Sequence, residues 1–434
     1  MIRFYSTNDH GVRVSLEEAV LRGLARDGGL FMPEQIQPMD SSFFKKISSL
    51  SFQEIALEVS RHVLKEEIPV DQLKKIIEQS ITFDAPLIRL SDEIYVVELF
   101  HGPTLSFKDF GARFMARLMA YLIRGQNQNI HILVATSGDT GSAVAYGFLN
   151  VPGIKVWILY PKGQVSMIQE KQLTTVGHNV TALEIDGTFD DCQALVKQAF
   201  NDQELSQRMR LTSANSINVG RLIPQSFYYF YAYAQVKNGS GPIVISVPSG
   251  NFGNLTAGLF AKKMGLPIER FIAATNRNDS VPKYLETGKF RPHPSIQTLS
   301  NAMDVGNPSN FARILDLYEG DLERIRKDLY GVSFTDEQTK GGIRELVEEY
   351  QYVADPHGAV AYLGLRDYQR NVKKTKGIFL ETAHPAKFLE VVEPLVGRKV
   401  DVPSRLQEAL DRKKVAIELP NDYDRLKAVL NSLD

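Results

Sequence analysis

From residue 94 onward the chain alternates short apolar runs with longer helical stretches, and no other feature limits its fold as much. The runs are "IYVVELF", "IHILVAT", "KVWILYP", "PIVISVP", "RFIAATN" and "GIFLE". Rich in β-branched residues and lacking a polar alternate face, they read as strands covered on both sides. Such strands, separated by helices, specify an α/β chain built around mostly parallel sheet. The first ninety residues read instead as mainly helical. Two Ser-x-x-Glu pairs, Ser15 with Glu18 and Ser51 with Glu54, each open an apolar-periodic stretch as a capping box does, and a further helix is expected from Asp71 through "QLKKIIEQSI". At 434 residues the chain exceeds the length at which one core keeps growing. The expected organisation is a mainly helical segment over 1–93 and two α/β domains, over 94–225 and 226–434, with no flexible linker or internal repeat to mark the joins.

Charge and composition narrow the function. Hydrophobic residues make up 43% and charged residues 23%, with a formal net charge of −1, which offers no electrostatic footprint for nucleic acid or an anionic membrane. No apolar run approaches the roughly 18 residues of a spanning helix, and the first thirty residues carry acids rather than a signal-like apolar block. A cytoplasmic enzyme is expected. The single cysteine, Cys192, excludes an internal disulfide and lies in "FDDCQALVKQAF", an amphipathic helix in which a thiol belongs to the core. The eight histidines include no HExxH and no close Cys/His spacing, so no metal site is expected.

In "HGPTLSFKDFGARFMARLMAYLIR", Phe107, Phe110, Phe114, Leu118, Tyr121 and Leu122 recur three or four apart, which predicts a helix from near Ser106. Lys108 then falls in the first turn, where the helix dipole disfavours a cation by roughly 0.3–1 kcal/mol. Two readings fit: a solvent-facing lysine that tolerates the mismatch, or an amine kept readily deprotonated because it reacts. Two glycine turns sit at strand ends, Thr136-Ser137-Gly138-Asp139-Thr140-Gly141 and Ser249-Gly250-Asn251-Phe252-Gly253-Asn254. Each lets the backbone approach a ligand closely and aims the free N–H groups of the next helix at it, as an anion site does. Neither is a Walker loop or GxGxxG, so a nucleotide is not the expected ligand; small residues that only tighten a strand-to-helix connection are the plainer alternative. In "LTSANSINVGRL", Asn215, Ser216 and Asn218 precede Arg221, whose planar fork suits a phosphate or carboxylate, though a surface arginine on a turn fits as well. "GIFLETAHPAKF" ends a strand in Thr382, whose hydroxyl either caps the next helix or faces a ligand in the crevice at the strand ends.

Taken in order and with their separations, "HGPTLSFKDFG", "ATSGDTG", "SANSIN" followed by Arg221, "PSGNFGN" and "TAHPAKF" resemble the motifs of the threonine synthase family, and "RGLARDGGLFMPE" resembles its opening segment. The likeness spans nearly the whole chain and points to the longer bacterial and fungal form; Ser106, where many relatives carry alanine, is a small departure. The resemblance implies a pyridoxal-phosphate enzyme of fold type II, the tryptophan-synthase-β type. It implies Lys108 as the lysine joined to the cofactor as a Schiff base, Gly250, Asn251, Phe252, Gly253 and Asn254 as the loop around the cofactor phosphate, and Thr382 as the hydroxyl facing the pyridine nitrogen. Thr136, Ser137, Gly138, Asp139 and Thr140 correspond to the loop that holds the substrate's α-carboxylate, with Asp139 and Thr140 nearest the cofactor ring and Thr140 counted with Lys108 as catalytic. Asn215, Ser216 and Arg221 correspond to positions that grip the substrate's phosphate. The implied enzyme is a lyase, monomer or homodimer, that converts O-phospho-L-homoserine and water into L-threonine and phosphate by γ-elimination and β-addition of water. The alternative within the same fold is a phospholyase that removes phosphate from an amino-alcohol phosphate and adds no water.

Overall fold

The computed structural model describes residues 2–126, 128–236 and 241–432. Strands β1 (Phe4–Ser6) and β2 (Phe31–Pro33) form an antiparallel ribbon near the N-terminus. Next come β3 (Leu87–Arg89), β4 (Ile94–Glu98), β5 (Ile130–Ala135), β6 (Ile154–Pro161), β7 (Val180–Asp186) and β8 (Arg210–Ser213). The last five are β9 (Ile243–Pro248), β10 (Arg270–Thr275), β11 (Leu329–Ser333), β12 (Lys376–Glu381) and β13 (Ile417–Pro420). One sheet runs β13-β7-β6-β5-β8 and is wholly parallel. The other runs β11-β10-β9-β12-β4-β3 and is parallel except at the β3–β4 edge. Every residue of β5 and β9 is buried, which accounts for apolar runs without a polar alternate face.

The linear division at 94 and 225 does not follow these sheets. β4 lies within 94–225 yet pairs with β12, and β13 lies within 226–434 yet pairs with β7. Sheet membership is set by pairing between distant segments, which a composition shift along the chain does not reveal. β7, β8, β11 and β13 lie outside the apolar runs of the sequence, because "VTALEID", "RLTS", "LYGVS" and "IELP" are short or carry polar residues. In the N-terminal part Ser51 and Glu54 form the reciprocal capping box, whereas Ser15 accepts the Glu18 N–H with no return bond. The next helix is Val70–Ser80, one residue earlier than expected and opened by Pro69. Cys192 is fully buried in the helix Phe189–Asn201. No helix among the described residues is long and apolar enough to cross a membrane.

Arg313 joins the N-terminal ribbon to the centre of the molecule. It is fully buried, and its guanidinium donates to Phe31 O (3.1 Å), Ser216 O (3.2 Å), Ile217 O (2.6 Å) and Asn310 Oδ1 (2.6 Å). Arg313→Met removes these donors while roughly keeping volume, and each acceptor left buried without a donor costs about 1–3 kcal/mol. The expected result is a clear fall in the thermal unfolding midpoint, measured by circular dichroism; an unchanged midpoint would show that the ribbon and the 216–217 turn stand without this link.

Candidate active site

A main-chain seam positions Lys108. Where β12 ends, Phe107 N–H donates to Thr382 O (2.9 Å) and His384 N–H donates to Leu105 O (3.1 Å), with an antiparallel bridge between Ser106 and Ala383. Leu105 takes a left-handed backbone (φ 57°) to turn the chain into the helix Lys108–Leu122. Lys108 and Thr382 therefore face one cleft of about 1160 Å³. Its wall includes Thr136, Ser137, Thr140, Asn215, Ser216, Arg221 and the run from Gly250 to Asn254. Of the residues to which the family resemblance gives a role, Gly138 and Asp139 are absent from that wall, as are Gly141 of the first turn and Asn218.

Lys108 is the first helical residue, behind a Phe107 cap that makes no side-chain bond. Burial draws its amine down to about 8; Asp139 and Asp355 pull it back up, and the cations of Lys387 and Arg221 push it down. That is the environment of a reactive amine and not of a solvated surface lysine.

Geometry at the second turn corrects one detail of glycine logic. The left-handed residue is Phe252 (φ 61°), which caps the helix Gly253–Lys263 without a side-chain bond, while Gly253 is helical. Gly250 is required by contact instead: a Cβ there would lie 2.7 Å from Met303 Cα and 2.8 Å from Ala302 O. Asn254 Oδ1 accepts the hydroxyls of Tyr228 (2.5 Å) and Tyr229 (2.6 Å), which fixes the amide and leaves Nδ2 buried with no partner among the described residues. An uncapped helix N-terminus beside an unpartnered amide donor fits the phosphate of a cofactor such as pyridoxal phosphate.

The 215–221 cluster abuts this turn. Asn251 Nδ2 donates to Ser216 Oγ (2.7 Å), and Asn215 Nδ2 donates to Ala135 O (3.2 Å). Arg221 is not on the surface: it is 3% exposed, Nη1 donates to Ala214 O (2.6 Å), and Nε has no partner among the described residues. Burial lowers its pKa to about 10, so it stays charged at neutral pH. A Cβ on Gly111 would meet Arg221 Nε at 2.8 Å, so this guanidinium packs on the first turn of the Lys108 helix.

At the first turn Thr136 folds the loop on itself. Its Oγ1 accepts from Gly138 N–H (3.0 Å) and Gly141 N–H (2.8 Å) and donates to Gly138 O (3.1 Å). Gly138 is left-handed (φ 143°) and caps the helix Asp139–Phe148. Asp139 was expected nearest the cofactor ring, yet its carboxylate accepts from Lys387 Nζ (2.6 Å) and Gln169 Nε2 (2.9 Å) away from the cleft wall. Burial alone would raise its pKa, but the Lys387 and Lys108 cations outweigh that and hold it below the usual carboxylate range. A buried carboxylate turns toward its cation because an unpaired one is costly.

Sequence reasoning missed Lys387, Gln169 and His357. His357 lines the cleft; its Nδ1 donates to Asp355 Oδ1 (2.5 Å) and its Nε2 accepts Ala302 N–H (3.2 Å), tying the wall segment that touches Gly250 to the helix Pro356–Asn371. Asp355-Pro356 is a helix-start signature that was available for locating this histidine. Nothing in local sequence marks Lys387 or Gln169, because their partners are distant.

The fold and this cleft define a pyridoxal-phosphate-dependent enzyme: the family model of that description matches residues 81–380. Models described as threonine synthase N terminus and threonine synthase, C-terminal match residues 3–81 and 358–430. The chain is 44% identical over 433 residues to the threonine synthase of Serratia marcescens, covering 100% of both. In structure it is similar to threonine synthase from Escherichia coli, with TM-score 0.93 and 43% identity over 100% of both chains. It is equally similar to pyridoxal-phosphate-bound threonine synthase from Brucella melitensis, with TM-score 0.93 and 33% identity over 100% of this chain and 99% of that one. The chain belongs to the threonine synthase family.

The depressed amine is directly measurable. Only the neutral amine acylates, so acetylation of Lys108 in the cofactor-free full-length chain, followed by peptide mapping across pH, should rise with a midpoint near 8 and level off above it. A rise that continues to the ordinary lysine value of roughly 10.4 would show a solvated amine.

Proposed function

We propose that the protein converts O-phospho-L-homoserine and water into L-threonine and phosphate, with pyridoxal phosphate held between the Lys108 helix and the 250–254 turn. One observation carries the reading: an amine lowered to about 8 shares a single cleft with the unpartnered donors Asn254 Nδ2 and Arg221 Nε. In this reading the N-terminus of the helix Gly253–Lys263 and Asn254 hold the cofactor phosphate, and Thr382 faces the ring nitrogen without forcing its protonation. Gly250 and Phe252 supply the close backbone approach. When bound, the cofactor supplies an aldehyde that links to the amine and a ring that absorbs electrons.

The rest is the work of this chain's own groups. Ser137, Thr140 and the first N–H groups of the helix Asp139–Phe148 hold the substrate's α-carboxylate, and Asp139 with Gly138 shapes that turn from behind. Arg221, with Asn215 and Ser216, grips the substrate's phosphate until it leaves from Cγ. Lys108, whose amine at about 8 has a far larger neutral fraction near physiological pH than an ordinary lysine, takes the proton from Cα and moves protons at Cβ before water adds there. Thr140 lies in the same wall and orients the carboxylate beside Lys108. In this reading the enzyme acts in the cytoplasm as a monomer or homodimer.

Incubation with phosphohomoserine should release threonine and phosphate in equal amounts; a ketone or aldehyde with ammonia in place of threonine would make it a phospholyase. Lys108→Ala should abolish turnover while retaining cofactor, since the phosphate turn is untouched, and a cofactor titration of the same preparation checks this. Arg221→Lys keeps the charge but loses the fork, a cost of about 1.5–3 kcal/mol, or roughly a ten- to hundredfold fall in kcat/KM, at normal cofactor content. Unchanged kinetics would remove Arg221 from the substrate site.

A further inference from the structure

Lys387 is fully buried in the turn Pro385–Phe388 that follows Thr382, and it is absent from the cleft wall. Its ammonium donates to Asp139 Oδ1 (2.6 Å) and to Thr104 O (2.9 Å). Thr104 is in turn tied to Asp109, through N–H to Oδ2 (2.8 Å) and hydroxyl to Oδ1 (2.8 Å), and its carbonyl also accepts Gln172 Nε2 (3.2 Å). Asp139 accepts Gln169 Nε2 (2.9 Å) from the same helix, Met167–Thr174. One cation thus joins the segment before Lys108, the start of the helix after β5, and the turn after β12. A buried ion pair is weak evidence for stability, because desolvation of both charges offsets their attraction. What this pair does is decide which cation Asp139 serves.

We propose that Lys387 is a positioning residue for the reaction: by closing an ion pair with Asp139 behind the cleft, it offsets that carboxylate's pull on the Lys108 ammonium and so keeps the Lys108 amine free to react. The proposal deepens the assignment of Lys108 above and rests on it. The charged groups acting on Lys108 are Asp139 and Asp355, which favour its protonated form, and Lys387 and Arg221, which oppose it. Asp109, next to it on the same helix, is bonded to Thr104, and His357, bonded to Asp355, lines the same cleft. Loss of the Lys387 charge acts twice in one direction. It removes an opposing cation and leaves the Asp139 carboxylate unpaired, so Lys108 becomes more basic and less of it is neutral at a given pH.

The test uses full-length chain with two readouts: the pH midpoint of Lys108 acetylation before cofactor loading, and the pH profile of kcat on phosphohomoserine in the holoenzyme, which reads the amine once substrate has displaced it. Lys387→Met should move the acetylation midpoint and the acid limb of kcat upward together by about one pH unit. Lys387→Arg should keep both near wild type, and the double variant Lys387→Met with Asp139→Asn should return the midpoint toward wild type because the orphaned carboxylate is gone. Activity lost equally at every pH with an unmoved acetylation midpoint overturns the proposal and leaves Lys387 a purely structural residue. Should Lys387→Met fail to fold, Asp139→Asn carries the test: with Lys387 unopposed the midpoint should fall, and an unmoved or rising midpoint overturns the proposal. Failure of the wild-type enzyme to make threonine would sink the reaction assignment alone, because the acetylation midpoint reads Lys108 without substrate.

Discussion

Everything in the cleft depends on a short seam of main chain, where residues 105 to 107 pair with residues 382 to 384. Backbone hydrogen bonds admit no side-chain rearrangement, so the seam sets the register between β12 and the helix that starts at Lys108. Because β12 sits between β9 and β4 in the middle of its sheet, the seam also refers Lys108 to the strand whose end carries the 249–254 turn. Two elements far apart in sequence thereby meet across one cleft, with Lys108 half-buried in its wall. The left-handed Leu105 is the conformational cost of that junction, about 1–3 kcal/mol for a non-glycine residue held in a sparse region.

Once the seam exists, electrostatics follow from burial. Desolvation disfavours a charged amine at Lys108, and the surrounding cations and carboxylates adjust the result without reversing it. Behind Thr382 a second buried group obeys the same logic. Glu381 is pushed up by burial and then by neighbouring Asp355, and its Oε1 accepts Asp355 N–H (2.6 Å). His384 is held to about 4 chiefly by burial and is neutral at pH 7. Asp355 and Asp139 are the carboxylates acting on Lys108, and each is occupied by its own partner.

The two anion-binding clusters are not independent. Asn251 on the strand-end turn and Ser216 on the following cluster share a hydrogen bond, and Asn310 and Arg313 fasten both from behind. Contact between the turns brings two negatively charged groups close together in the proposed reaction. Fixed donors suit that arrangement, because they stabilise developing charge without reorganising. It also explains why an arginine is buried there: a guanidinium stays protonated in a desolvated site where a lysine readily loses its proton.

Local sequence was sufficient for the elements and for the ingredients of the site. Apolar runs without a polar face marked the central strands, period and caps marked the helices, and glycines at strand ends marked both turns. Those signals are local because they arise from backbone geometry and from one residue's neighbours. Tertiary structure alone decided which strands share a sheet, so β4 and β13 crossed the boundaries drawn along the chain. It alone turned Asp139 from the cleft to Lys387, put the left-handed residue of the second turn at Phe252, and brought His357 to the wall. The reason is physical: a buried charge takes its partner from whatever segment folding brings within hydrogen-bond reach, and that distance is not written in the spacing of residues along the chain.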